Sequence, residues 1–111
     1  MRQQIAQLRP ANTSAATLVS EVRPFFVDLI IICNTTSSSA VFSIFHDEDG
    51  TTYDESTALM FNATLQGGDM AYVDVPRGIA NNKVSGTIGV KSGTASALTF
   101  TAYGEVYGER V

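Results

Sequence analysis

The segment from Phe25 to Asn34 constrains this chain more than any other. Phe25, Phe26, Val27, Leu29, Ile30, Ile31, Ile32 and Cys33 are apolar, and Asp28 alone interrupts them. Aromatic and β-branched side chains at this density favour a strand. Alternation then places Phe25, Val27, Leu29, Ile31 and Cys33 on one face, and Phe26, Ile30 and Ile32 on the other. A strand apolar on both faces must be covered on both sides. With 111 residues the chain makes one domain around one core. The second face therefore calls for another subunit. Phe26, Ile30 and Ile32 become interface candidates, and a homo-oligomer is expected.

The remaining chain continues the β pattern. Gln3 to Leu8 alternates until Pro10 stops it, as an N-terminal arm or edge strand within residues 1–10. Ser14 to Val22 sets Ala16, Leu18, Ser20 and Val22 against Thr17, Val19 and Glu21. Ala40 to His46 sets Phe42 and Ile44 against Val41 and Phe45, and the polar turn from Asn34 to Ser39 makes it a hairpin partner of the 25–34 strand. Further strands are expected over 58–65 and 70–75. A loop follows from Pro76 to Asn82, because its Pro, Gly and paired Asn suit irregular backbone. Lys83 to Lys91 turns Val84, Gly86, Ile88 and Val90 inward. Ala97 to Val106 closes the fold with Leu98, Phe100, Ala102 and Val106 against Thr99, Thr101, Tyr103 and Tyr107. About eight short strands at near-regular spacing predict an all-β domain over 1–111, a single antiparallel β-sandwich of jelly-roll type. Its core is expected from 25–33, 40–45, 84–90 and 98–106.

Charge and composition exclude several functions. The net charge is −4, and the seven Lys and Arg residues are scattered, so no basic face exists to displace counterions from a nucleic acid. No segment is long and apolar enough to serve as a signal peptide or membrane span, which predicts synthesis in a cytoplasm and no membrane partner. A single cysteine, Cys33, excludes an internal disulfide and a cysteine-rich zinc site. Within its apolar run it is expected to be a buried thiol. The one histidine, His46, offers no obvious nucleophile–base pair. Gly86 and Gly89 are not followed by the Lys-Ser/Thr of a phosphate-binding loop, and Gly86 is expected to permit close backbone approach.

The one concentration of titratable groups is His46 to Glu55, where Asp47, Glu48, Asp49, Asp54 and Glu55 place five carboxylates in nine residues. Calcium favours such oxygen-rich loops, and Asp47, Asp49 and Asp54 are the candidate ligands. An EF-hand register fails, because the glycine required at position six then puts Phe45 at position one and Ser56 at position twelve. The plainer reading is a solvated loop, projecting from one end of the sandwich and dispensable for folding. Adjacent exposed carboxylates lack the rigidity and burial of a glycosidase pair. No catalytic site, bound metal or cofactor is therefore expected. Tyr103 and Tyr107, at even spacing on the last strand, join the interface candidates.

Four stretches carry a family resemblance: Leu8 to Thr13, Ile32 to Thr36, Phe42 to Asp54, and Ser92 to Gly104. Through them the chain resembles small structural proteins of tailed-bacteriophage virions, several of which are capsid decoration (cement) proteins. The resemblance implies a β-sandwich that bridges neighbouring capsomers, partners among the major capsid protein and other virion proteins, a homotrimer, and a location in the virion. A tail or head–tail component is the neighbouring expectation. A different class is a carbohydrate- or receptor-binding module, with the acidic loop holding Ca²⁺ and tyrosines stacking on sugars.

Overall fold

The computed structural model describes residues 3–21, 23–81 and 85–107, except for the side chains of 75–77. Eight strands run in order: β1 (Gln3–Leu8), β2 (Ala16–Ser20), β3 (Phe25–Asn34), β4 (Ala40–Asp47), β5 (Ala58–Leu65), β6 (Met70–Asn81), β7 (Thr87–Ser92) and β8 (Leu98–Val106). They form two four-stranded antiparallel sheets. Sheet A has the order β1-β8-β3-β6 and sheet B the order β2-β7-β4-β5. The pairings are nested: β1 with β8, β2 with β7, β3 with β6 and β4 with β5. Successive nested pairs alternate between the sheets, and the β3–β8 and β4–β7 ladders complete each one.

The two inner faces meet in one apolar core. Val27, Ile30, Ile32, Leu98 and Phe100 of sheet A join Val19, Phe42, Ile44, Ile88 and Val90 of sheet B. Phe42 and Phe100 touch edge to face across the sheets, their ring centroids 6.3 Å apart. Burying such side chains contributes about 1.5–3 kcal/mol each.

Two expectations about β3 are corrected. Its faces do not alternate through the strand. A bulge lies between Val27 and Leu29 in both of its ladders. Against β8 the extra residue is one, on β3; against β6 the extra residues are three, on β6. A shift by an odd number switches every later side chain to the opposite face. Phe25 and Val27 therefore point inward, and after the bulge Ile30 and Ile32 do, at 1% and 0% exposure. Leu29, Ile31 and Cys33 take the outer face. Nor do β3 and β4 form a hairpin, since they belong to different sheets. The buried side chain of Asn34 turns the chain between them. Its Nδ2 donates to the carbonyls of Ser38 and Leu65, and its Oδ1 accepts from the Thr36 amide. Satisfying this corner internally removes the need for ladder partners there.

Other boundaries shift for local reasons. The segment 76–81, expected as a loop, belongs to β6. Ile79, Ala80 and Asn81 lie opposite Val27, Phe26 and Phe25, while 75–78 take no partner on β3 and form the irregular step between the two halves of the ladder. Gly78 there adopts φ +77°, and the Phe26 ring occupies the space a side chain would need. A register shift in β2 buries both Leu18 and Val19 instead of one face alone. Val22, Lys83 and Val84, assigned to strands from the sequence, lie outside the described residues.

Candidate functional site

The acidic loop is anchored, not a free projection. From Asp47 it folds back over the outer face of sheet B. Tyr53 stacks on Phe45 at 5.9 Å between centroids, and its ring lies on Gly89, where an added Cβ would come within 2.6 Å of it. The Tyr53 hydroxyl sits 2.7 Å from Thr17 Oγ1 on β2 and 2.6 Å from Thr87 Oγ1 on β7. Thr87 Oγ1 also donates to the Gly50 carbonyl, and Ser85 Oγ to that of Asp49. Phe45 is thereby buried on the outer side of its sheet, at 1% exposure.

The carboxylates divide by role. Asp47 Oδ1 accepts from the Asp49 amide and its Oδ2 from the Thr52 amide. The Thr52 bond, followed by that of Asp49, holds the Asp47 carboxyl below its ordinary pKa. Asp54 Oδ1 accepts from the hydroxyl and the amide of Ser56, which lower its pKa in that order. Glu48, Asp49 and Glu55 are exposed. The candidate calcium ligands Asp47 and Asp54 thus brace the loop's own backbone. Among the described residues no three His, Cys, Asp or Glu side chains converge as a metal-binding group.

Between this loop and the β1–β2 connection lies an open groove of about 1010 Å³ on the outer face of sheet B. Thr13, Ser14 and Ala15 form one wall, Asp54, Glu55 and Ser56 the other. Phe45, Tyr53, Phe61 and Lys91 complete the lining. The Phe61 ring meets Phe45 edge-on at 6.5 Å and remains 46% exposed. Sequence reasoning missed this group. The available signals were an aromatic residue, Tyr53, inside a polar loop, and a glycine, Gly89, inside a strand.

The interface candidates are redistributed by the β3 bulge. Ile30 and Ile32 belong to the core, whereas Phe26 is half-buried. On the outer face of sheet A, Leu29 lies opposite Tyr103 of β8, and Ile31 opposite Tyr72 of β6. Cys33 lies opposite Met70 and is exposed, contrary to the buried thiol expected from its apolar neighbours. Tyr72 and Met70 are 64% and 57% exposed. Tyr107 lies beyond the end of β8, where its amide donates to the Pro24 carbonyl. His46 Nε2 is 2.9 Å from Asn81 Oδ1, a contact between the two sheets remote in the ladder from Cys33. No helix among the described residues is long and apolar enough to cross a membrane. No protein-family model matches the chain, and no curated protein matches it.

Proposed function

We propose that this chain is a non-catalytic structural protein of a tailed-phage virion, a capsid decoration protein that assembles through the outer face of sheet A. The observation that carries this reading is the cluster Leu29, Ile31, Cys33, Met70, Tyr72 and Tyr103 on that face, interspersed with Asp74, Thr99 and Thr101. A single small domain rarely leaves such a surface uncovered, and aromatic and Met side chains are typical of interface centres. Asp74, exposed opposite Leu29, is the charge at the edge of this surface and would need a partner when the face is covered.

The fold reading that accompanies it is a jelly roll. Support comes from the nested β1–β8, β2–β7, β3–β6 and β4–β5 pairs, which are what a long four-step hairpin gives when rolled into two sheets. In a decoration role the cluster meets neighbouring copies in a trimer and the major capsid protein beneath. Many weak sites repeated over a shell then add by avidity.

Cryo-EM of the purified particle tests the assignment. The expected density lies on the outer shell between capsomers. Density confined to the portal or tail axis would overturn the decoration role, and absence of the chain from the particle would overturn the virion assignment. Tyr72→Glu combined with Met70→Glu should abolish shell binding while leaving a folded domain, because both side chains are mostly exposed.

A further inference from the structure

We infer that the groove on the outer face of sheet B is a binding site for a neutral oligosaccharide. Its aromatic surface is preorganised. Phe61 exposes its ring while resting on buried Phe45, and Tyr53 is fixed by its stack and by hydrogen bonds to Thr17 and Thr87. A flat ligand face that packs on Phe61 meets a ring backed by buried Phe45 and the fixed Tyr53. The C–H face of a pyranose is such a surface, and aromatic rings take it by dispersion and by the negative ring face.

The polar groups around Phe61 match the other half of a sugar. Glu55 supplies a carboxylate that accepts from ligand hydroxyls, and Lys91 an ammonium that donates to them. Lys91 and Glu55 line one groove without forming an ion pair with each other. A hydroxylated ligand can therefore bond to either without breaking a bond between them. Ser14 lies on a wall braced by the bond from its amide to Asn12 Oδ1.

The same chemistry disfavours other occupants. An anionic ligand meets the carboxylates of Asp54 and Glu55. A purely apolar one would strip water from Glu55 and Lys91 without replacing its hydrogen bonds. The volume of about 1010 Å³ is at the upper end for small-molecule clefts, roughly 300–1,000 Å³, which suits several linked rings. The groove lies on the sheet opposite the sheet A cluster, so binding does not depend on the virion assignment and remains possible in an assembled protein.

The test is an amide NMR titration of the isolated full chain with maltohexaose, cellohexaose, mannohexaose and the N-acetylglucosamine tetramer, each to about 10 mM, the weak end of the affinity scale. At least one saccharide should shift the amides of Ser14, Glu55, Ser56 and Lys91 together in a saturable manner. Phe61→Ala should weaken that binding by about tenfold, as expected for loss of an aromatic platform. Phe61→Leu, which keeps an apolar contact on Phe45 but no flat ring, should weaken it by at least about fivefold. If none of the four saccharides shifts these amides, or if Phe61→Leu changes the affinity by less than about fivefold, the inference is wrong.

Discussion

Tyr53 tests whether the acidic loop belongs to the folded unit. Consider Tyr53→Phe first. It removes a hydroxyl held by Thr17 and Thr87 at 2.7 and 2.6 Å. Thr17 is exposed and regains water, while buried Thr87 keeps its bond to the Gly50 carbonyl. No buried group is orphaned, so the cost should be the net worth of a hydrogen bond, about 1 kcal/mol. Tyr53→Ala also removes the ring from Phe45 and uncovers Gly89. The stack contributes about 0.5–1.5 kcal/mol beyond area burial, and half-burying the ring about 1–1.5 kcal/mol more. Together with the hydroxyl this gives about 3 kcal/mol. At roughly 4 °C per kcal/mol for a domain of this size, melting temperature should fall by about 4 °C in Tyr53→Phe and about 12 °C in Tyr53→Ala. Thermal denaturation followed by circular dichroism at neutral pH measures both. A fall below about 3 °C for Tyr53→Ala would refute the anchoring argument and restore the loop as a free projection.

Three further outcomes follow from the same geometry. Ile30→Ala should cost about 2–5 kcal/mol in denaturant unfolding and Ile31→Ala less than about 1.5, because the bulge puts the first in the core and the second outside; equal costs would contradict the register. Gly104→Ala should cost about 3 kcal/mol or more, or prevent soluble expression, since the added Cβ would lie 1.8 Å from the Phe26 carbonyl oxygen; a wild-type melting temperature would refute the close β3–β8 approach. Asp47 and Asp54 have folded pKa values below the ordinary 3.8, so their stabilising contribution is present above that value and is lost as pH falls through the folded values; Asp47→Asn with Asp54→Asn should flatten the melting-temperature profile below about pH 4, and an unchanged acid slope would count against these bonds.

The all-β class and most strand positions were legible in the sequence, because strand periodicity and turn chemistry are local. Gln3 to Leu8, Phe25 to Asn34 and Ala58 to Leu65 are strands over the spans their residues suggest. The acidic loop was legible as a cluster of charge, and its carboxylates do lie mainly at the surface. What surrounds it was not. Tyr53 meets Phe45, Gly89, Thr17 and Thr87, which are separated from it by 8 to 36 residues and are brought together only by the β2-β7-β4 order.

That β3 carries apolar side chains on both faces follows from its residues alone. Which residues face which way was decided by tertiary structure. The bulge beside Asp28 is a property of ladders with β6 and β8, whose partners lie far away in the chain, and no local pattern announces it. A register change by an odd number of residues exchanges the two faces of everything after it. The same holds for the chain's partner choice at Asn34: the polar run looks like a hairpin turn, yet the buried Asn34 side chain bonds to Leu65, a residue 31 positions on, and sends β4 into the other sheet. Local residues set the tendency to extend and turn; the pairing of distant strands chose the faces.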